Sequence, residues 1–293
     1  MPNKNPFEQP GTWFRANLHT HTTNSDGREE PQARVNQYRE AGYDILAITD
    51  HRMVTQTDTL DAGDMLLLCS MEAHPPCPGG PLYHLVCLNI PQDFDHSPDT
   101  DANTFIQQVR EAGGEVICAH PYWCGRTIPQ ILALENLVGM EVYNSTCGRI
   151  GKASSSVIWD SLLQAGRRLP AVAVDDTHAN DDLFGGWTMV RAETLDVDAV
   201  MDAIRTGSYY ATSGPVIEDF RIRDGEVEAK FSPVREVNFR CQGSCGRRIQ
   251  APSGEVLTEA RFKLPANPGY VRLEIEDEEG HHAWTNPLFP RKQ

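Results

Sequence analysis

Short apolar runs alternate with longer mixed segments through the first two thirds of the chain. The apolar runs have the length of buried strands, and the segments between them are typical of helices. Asp101 and Asp196 stand where N-terminal helix caps are expected, and glycines fall just past several helical segments. The predicted strands are 13–18, 44–49, 65–71, 84–90, 115–119, 139–143, 169–175 and 186–191, and the predicted helices are 30–41, 102–112, 128–136, 153–166 and 196–206.

This alternation predicts an α/β fold in which parallel strands close into a barrel. The strand count leaves seven and eight strands equally open. After Pro215 the pattern changes to short alternating runs separated by turn residues, over 216–222, 226–231, 234–240, 256–264 and 271–276. We therefore predict two domains, a barrel over residues 1–214 and a small β-sandwich-like domain over residues 215–293.

Histidines and carboxylates gather at the ends of the predicted strands. His19 and His21 are two residues apart after a strand, so their side chains point to the same face and can reach one ion. Asp176 and His178 have the same spacing. Asp50 and His51 are adjacent and point to opposite faces, and we favour His51 as the ligand because imidazole suits Zn, Fe or Mn. The pattern predicts a metal-dependent hydrolase.

Six motifs together carry a resemblance to a known family. They are NLHTHTTNSDG (17–27), ITDH (48–51), MEAH (71–74) with HLV (84–86), AHPYW (119–123), EVYN (141–144) and VDDTH (174–178). As a set they resemble the PHP superfamily of metal-dependent phosphoesterases, which implies a distorted (β/α)7 TIM-like barrel. The segment AIRTGSYYATSGPVI (203–217) is similar to the branch that includes carbaryl-type carbamate hydrolases.

The resemblance also implies a site for two or three divalent ions, which could be Zn, Mn or Fe. Its implied ligands are His19, His21, Glu72 and Asp176 for a first metal, Glu72, His84 and His120 for a second, and Asp26, His51 and His178 for a third. His74 is the alternative to His84, because it lies two residues after Glu72. We prefer His84 because it stands directly before an apolar run, and the other ligands likewise stand next to apolar strands.

The ligands imply hydrolysis by a metal-bridging hydroxide. Asp176 and His178 are the predicted catalytic residues, and His178 or a water on the third metal would protonate the leaving group. The predicted substrate-binding residues are Arg52, Arg126, Arg149, His74, Tyr122 and Trp123. The favoured function is a phosphoesterase acting on a small phosphorylated metabolite such as a nucleotide or sugar phosphate. A carbamate, ester or amide hydrolase and a non-catalytic metal-binding domain are the alternatives.

Charge and composition limit the kinds of binding partner that are compatible with the chain. The 293 residues carry 41 acidic and 26 basic side chains, a net charge of −15, and such a surface repels a long nucleic acid. A small anionic substrate remains compatible, because local metal ions outweigh the distant surface. No run approaches the ~20 apolar residues of a membrane span. The eight cysteines are not spaced as in a disulfide framework, and this favours a location in the reducing cytoplasm. Oligomeric state stays open.

Overall fold

A computed structural model describes residues 4–290 of the chain. The strands of the first part are β1 (Thr12–Asn17), β2 (Ile45–Ile48), β3 (Leu66–Ala73), β4 (Leu85–Leu88), β5 (Glu115–Cys118), β6 (Gly139–Asn144), β7 (Ala171–Val174), β8 (Trp187–Ala192) and β9 (Tyr209–Thr212). The helices are α1 (Pro31–Glu40), α2 (Ala102–Glu111), α3 (Ile128–Leu132), α4 (Ser156–Gln164) and α5 (Val197–Thr206). Every strand and helix predicted for this part is present, with ends shifted by a few residues.

Two predicted helix caps are confirmed. The Asp101 side chain accepts hydrogen bonds from the backbone N–H groups of Asn103 and Thr104, and Asp196 accepts one from Ala199. The carboxylates thus satisfy N–H groups that have no partner inside the first helical turn. Such caps set where α2 and α5 begin, and so fix the lengths of the connections to the neighbouring strands.

One sheet of thirteen strands dominates the fold and is mixed, so the prediction of parallel strands throughout is wrong. Pairs β1–β2, β2–β3, β5–β6 and β6–β7 are parallel, whereas β4 runs antiparallel to β3 and β5, and β8 antiparallel to β1. The loop 74–84 explains the reversal at β4, because it is shorter than the crossover that a parallel pair needs. The start of β4 therefore lies at the same edge as the end of β3.

The end of β7 returns to the end of β1. Thr20 and Thr177 form a parallel bridge, the Asp176 N–H donates to the His19 carbonyl at 3.0 Å, and the His21 N–H donates to the Thr177 carbonyl at 3.0 Å. Thr188 of β8 also bonds the backbone of Ala173 in β7. These contacts bring the residues that follow β1 and β7 to one place.

The remainder of the chain is all β, as predicted. Its strands are β10 (Ile217–Arg223), β11 (Glu226–Val234), β12 (Glu236–Cys241), β13 (Gly246–Gln250), β14 (Leu257–Lys263), β15 (Val271–Glu276) and β16 (His282–Thr285). β10, β11 and β14 form a separate sheet, while β12, β13, β15 and β16 extend the large sheet through the β16–β9 pair. Strands β9, β13 and β16 were not predicted. β13 is largely exposed and lacks the apolar alternation that marked the others.

Buried side chains form four clusters in the described residues, and one of them packs α1 against β2 around Tyr38. One cluster, with Val109 and Trp159, lies between the sheet and α2, α3 and α4, and another, with Leu18 and Val172, includes the inward faces of several strands. A third packs the two sheets of the C-terminal part together around Phe220. All eight cysteines are free thiols. Within residues 4–290, no helix has the length and apolar character needed to cross a membrane.

Candidate metal centre

Strand ends deliver the histidines and carboxylates to one edge of the sheet. His19 and His21 follow β1, His120 follows β5, and Asp176 follows β7. Glu72 is the second-last residue of β3 and lies at the same edge of the sheet. Each of these five side chains is buried. Because the sheet curls back from β7 to β1, residues distant in sequence become neighbours.

Four ligand atoms surround a common point at the centre of this edge. His19 Nε2 and His21 Nε2 are 3.1 Å apart, and each lies 3.1–3.6 Å from Glu72 Oε2 and Asp176 Oδ1. A tetrahedral ion with bonds of about 2.0–2.1 Å would hold its ligand atoms about 3.3–3.4 Å apart. The distances of the two histidine nitrogens from each other and from the two carboxylate oxygens therefore fit one bound ion.

Several of these close approaches are not hydrogen bonds. His51 Nδ1 lies 2.7 Å from Glu72 Oε2, yet among the described residues neither atom has a hydrogen-bond partner. The same is true of Asp176 Oδ1, which is also buried. Unpartnered buried polar atoms are costly and need a reason. Lone pairs that converge without aligned hydrogens are what a cation site requires, so the donor set fits a metal.

The second nitrogen of His19 supports the same reading. His19 Nδ1 lies 2.6 Å from Glu141 Oε1, and since a carboxylate accepts, the ring nitrogen donates. The lone pair is thereby left on Nε2, which faces the other ligand atoms. Asn144 Nδ2 in turn donates to Glu141 Oε2 and to Asp176 Oδ2, at 2.9 and 3.1 Å. Such outer partners orient metal ligands and fix their tautomers.

A second group adjoins the first through the other oxygen of Glu72. His84 Nδ1 and His120 Nε2 lie 2.7 and 3.2 Å from Glu72 Oε1. Cys124 Sγ lies 3.3 Å from the other nitrogen of His120. His84 reaches this place because β4 is antiparallel, so that its first residues lie beside the end of β3. Glu72 thus offers one oxygen to each group.

A third group lies nearer to solvent. His51 Nε2 and His178 Nε2 are 3.4 and 3.3 Å from the two carboxylate oxygens of Asp26. His178 Nδ1 lies 2.8 Å from the Asp176 carbonyl, which leaves Nε2 facing Asp26. Together with His21, these side chains could hold another ion. All nine predicted ligands therefore lie within three adjoining groups.

Three residues at this edge have left-handed backbone conformations. The φ angles of Arg52, His120 and Asp176 are 59°, 23° and 57°. Residues other than glycine rarely adopt positive φ, and such strain concentrates at functional sites. The three residues lie two to four positions after the ends of β2, β5 and β7, within the segments that carry the ligands.

Electrostatics at the centre keep the carboxylates ionised. Burial would raise the pKa of Glu72, but His19, His120 and His51 hold it well below its usual value. Burial would likewise lower the pKa of His19, which Asp176, Glu141 and Glu72 instead raise well above its usual value. The ionised carboxylates are thus stabilised by nearby positive charge. Without a bound cation, that charge comes from protonated histidines.

Asp50 and Asp175 surround the centre without joining it. Asp50 accepts hydrogen bonds from Thr22, Ser25 and Thr55. Asp175 accepts from the Tyr38 hydroxyl and from two backbone N–H groups, and burial raises its pKa to about 6. The sequence favoured His51 over Asp50 as the ligand, and these donors occupy the carboxylate oxygens of both aspartates.

A cavity of about 330 Å³ opens directly above the ligand groups. It is lined by Asp26, His51, Glu72, His84, His120, Trp123, Thr146, Cys147, Arg149, Asp176 and His178. Trp123 packs edge-on to His120 and His84, with ring centroids 5.2 and 5.8 Å apart. Arg149 lines the cavity while its Nη2 pairs with Asp181 and Asp182 at 2.7 Å.

The other predicted substrate residues lie elsewhere. Arg52 and His74 line a separate cavity of about 160 Å³ next to the first. Arg126 is buried and donates to the Leu82 carbonyl beneath the Tyr83 ring. Tyr122 is exposed, with Lys152 Nζ 5.4 Å from its ring centroid. These side chains surround the centre but do not border the main cavity.

Five residues of the site were not among those predicted, and one of them, Cys147, lines the main cavity. Glu141, Asn144 and Thr146 anchor His19 and Asp176, and Cys124 contacts His120. Glu141 and Asn144 belong to the EVYN motif, so the signal was present without a role attached to it. Cys124 lies four residues after His120, and nothing in its sequence context distinguishes it from the other cysteines.

Comparison with solved structures finds proteins of similar architecture. A two-domain protein from Bacteroides vulgatus, containing a predicted PHP-like metal-dependent phosphoesterase, matches with a TM-score of 0.56 and 15% identity over 98% of each chain. The chain shares the overall fold of that protein. The match covers both the ligand-bearing part and the C-terminal strands, and at this identity it concerns the fold alone. The predicted α/β fold class is thus confirmed, with a large mixed sheet where parallel strands were expected.

Two further structures resemble part of the chain. A proposed metal-dependent phosphoesterase from Bifidobacterium adolescentis has 18% identity and a TM-score of 0.44, covering 56% of this chain and 87% of its own. An amidohydrolase from Chromobacterium violaceum has 16% identity and a TM-score of 0.45, covering 57% and 89%. No protein-family model matches the sequence, and no curated protein does.

Proposed function

We propose that the protein is a metal-dependent phosphoesterase that hydrolyses a small phosphorylated metabolite, such as a nucleotide or sugar phosphate. The observation that carries this proposal is the convergence of four ligand atoms: His19 Nε2 and His21 Nε2 lie 3.1 Å apart, and each lies 3.1–3.6 Å from Glu72 Oε2 and Asp176 Oδ1. The cavity above them has the volume of a small-molecule site.

The proposed ligand sets are those expected from the sequence. They are His19, His21, Glu72 and Asp176 for the first ion, Glu72, His84 and His120 for the second, and Asp26, His51 and His178 for the third. Mixed imidazole and carboxylate ligands suit Zn, Mn or Fe. Such ions, when bound, would activate water for attack and stabilise negative charge on the phosphoryl oxygens.

The protein's own residues would orient the substrate against this centre. Trp123 forms an apolar wall against which a base or sugar ring can pack. Arg149 also lines the cavity, where a guanidinium favours an anion. His178 and Asp176 are the proposed catalytic residues, and the bond from His178 Nδ1 to the Asp176 carbonyl fixes the ring that would serve the leaving group.

The large sheet supports a further proposal about architecture. The bridge between Thr20 and Thr177, with the contacts between Thr188 and Ala173, supports closure of β1 to β7 into a distorted TIM-like barrel. We also keep residues 1–214 and 215–293 as the proposed domains, although the β9–β16 pair joins their strands into one sheet.

Carbamate, ester or amide hydrolysis is the alternative, and it rests on the segment 203–217. In the structure this segment forms the end of α5, strand β9 and the turn that follows, and it supplies none of the residues that line the main cavity. It therefore gives no specific support for a carbamate substrate. A non-catalytic metal-binding role is the second alternative.

Paired nitrophenyl substrates that share one leaving group test the proposal. We expect turnover of the phosphate monoester or diester with added Mn or Zn, abolished by a chelator. The variant His19→Gln should be inactive, whereas His281→Gln, which changes a half-exposed histidine in a distant turn, should match the wild type. Cleavage confined to the acetate or carbamate would replace the phosphoesterase proposal with the alternative.

A further inference from the structure

His74 lies beside the ligand groups with an unpartnered nitrogen. Its ring packs between those of His51 and His84, with centroids 4.8 and 4.2 Å away, and its side chain is only 8% exposed. Its Nε2 lies 3.6 Å from Glu72 Oε2 and has no hydrogen-bond partner within the described chain. By position alone, His74 could serve as another metal ligand.

The hydrogen bond at Nδ1 of His74 shows whether Nε2 can bind a metal or can only donate a hydrogen bond. Arg52 Nε donates a hydrogen bond to His74 Nδ1 at 3.0 Å. A guanidinium only donates, and it stays protonated at all ordinary pH values. Nδ1 must therefore hold the ring's lone pair, so that Nε2 carries the hydrogen. A nitrogen with a hydrogen cannot bind a metal.

Two proposed ligands show the opposite arrangement. His19 Nδ1 faces the Glu141 carboxylate at 2.6 Å, and His178 Nδ1 faces the Asp176 carbonyl at 2.8 Å. Both partners accept, so both rings keep a lone pair on Nε2 for an ion. His74 differs because its partner is a cation that donates. The contrast lies within one cluster and does not depend on any bound group.

The backbone of Arg52 is fixed by its contacts and conformation. Its backbone N–H donates to the Glu72 carbonyl at 2.9 Å, and its φ angle of 59° is left-handed. A residue other than glycine keeps such a conformation only where its surroundings impose it. The turn after His51 thus directs the Arg52 side chain back toward His74 and away from the main cavity.

We propose that His74 is a hydrogen-bond donor to a substrate oxygen that reaches Glu72 from the smaller cavity, which Arg52 and His74 line beside the main one, and that Arg52 is a positioning residue that excludes His74 from the ligand set. This inference rests on the proposed function, which supplies a phosphoryl oxygen as the acceptor. A dry, fixed donor aimed at developing negative charge is an effective stabilising group.

Metal content gives the first test, with His84 as the matched control. Full-length His74→Gln and His84→Gln variants are loaded with Zn²⁺, freed of excess metal and analysed for zinc per chain. We expect His74→Gln to hold as much zinc as the wild type, while His84→Gln loses about one ion. Equal zinc loss in the two variants would overturn the proposal.

Nitrogen NMR of the metal-free protein labelled with ¹⁵N-histidine gives the second test, and it needs no stable variant at position 74. We expect a protonated Nε2 and an unprotonated Nδ1 for His74, and Arg52→Met should change this pattern. A protonated Nδ1 in the wild type would contradict the donor role.

Binding of inorganic phosphate to the zinc-loaded protein gives the third test. We expect His74→Gln and Arg52→Met to weaken it about tenfold, and Arg52→Lys, which keeps a donor, to weaken it less. Unchanged affinity in His74→Gln would overturn the contact with substrate. If the wild type binds no phosphate, the phosphoesterase proposal fails, while zinc content and the NMR pattern still decide whether His74 is a ligand.

Discussion

The molecule buries two clusters of charged side chains, and only one of them is complete. In the first, between α4 and the C-terminal strands, Arg272 donates to Asp160 at 2.6 and 2.9 Å and to Glu274 at 3.1 Å, and Arg240 and Ser156 also donate to Glu274. In the second, the strand-end centre, Glu72 Oε2 and Asp176 Oδ1 have no partner among residues 4–290. Arg272 and Glu274 of the first cluster are buried, as are Glu72 and Asp176 of the second. Only the first cluster satisfies its carboxylates with its own cations.

The difference lies in the kind of positive charge that each cluster contains. Arg272 is always charged and presents several donors to its carboxylates. The strand-end centre collects Asp26, Glu72, Glu141 and Asp176 around imidazoles, whose lone pairs point inward. A cluster of the first kind ties elements together, whereas the second needs an added cation. Comparing the two therefore separates residues that bind a metal from residues that stabilise the fold.

The largest expected effect comes from removing one unpartnered carboxylate. Asp176→Asn keeps the shape of the side chain, and asparagine tolerates the left-handed backbone at this position. We expect loss of one ion per chain and a fall in turnover of at least about a hundredfold, more than is typical of a change outside the ligand shell. Metal analysis and steady-state kinetics measure both. Full zinc content in this variant would refute the ligand assignment.

The complete cluster should respond in the opposite way. Glu274→Gln leaves Arg272 with one carboxylate partner in a buried position, and breaking such a pair costs about 3 kcal/mol. We expect that loss in the free energy of unfolding measured with urea, with zinc content unchanged in the folded protein. Zinc loss on Glu274→Gln would mean that the two clusters are coupled, which their separate positions argue against.

The strand-end centre was predictable because its ligands share a local signature. An imidazole or carboxylate directly after an apolar strand can be recognised residue by residue, as for His19 and His120. The antiparallel course of β4 could not be read in the same way, because a strand of four apolar residues has the same pattern in either direction. Its direction follows from the length of the preceding loop and from pairing with β3 and β5.

The cluster around Arg272 could not be recognised from the sequence pattern. Asp160 lies on α4 and Arg272 on β15, more than a hundred residues apart, and each resembles an ordinary surface charge. Only tertiary packing places them together. The same reason explains why Arg126 could be proposed for phosphate binding, although in the structure it donates to the Leu82 carbonyl. The role of an arginine depends on which acceptor the fold brings to it.

A smaller effect is expected from the residue that orients His19. Glu141→Gln keeps an acceptor oxygen for His19 Nδ1 but removes the negative charge. Outer partners of metal ligands typically contribute ten- to a hundredfold in metal affinity. We expect zinc affinity to fall by about tenfold, measured by competition with a chelating dye, while zinc content at saturation stays at the wild-type level. Unchanged affinity would show that the contact only supports packing.

The smallest expected effect is a pH dependence of stability that belongs to the complete cluster. Burial would raise the pKa of Glu274, but Arg272 and Arg240 lower it below its usual value. A carboxyl group whose pKa is lower in the folded state contributes stability above its unfolded pKa, which is about 4.3 for glutamate, and loses that contribution as the pH falls through the folded pKa. The difference in unfolding free energy between wild type and Glu274→Gln should thus be constant from pH 7 to about 5 and shrink at lower pH. Denaturant unfolding of metal-free protein at each pH measures it. A difference that grows on acidification would mean that the Arg272 cluster does not hold Glu274 in its ionised form, and the contrast with the strand-end centre would lose its electrostatic basis.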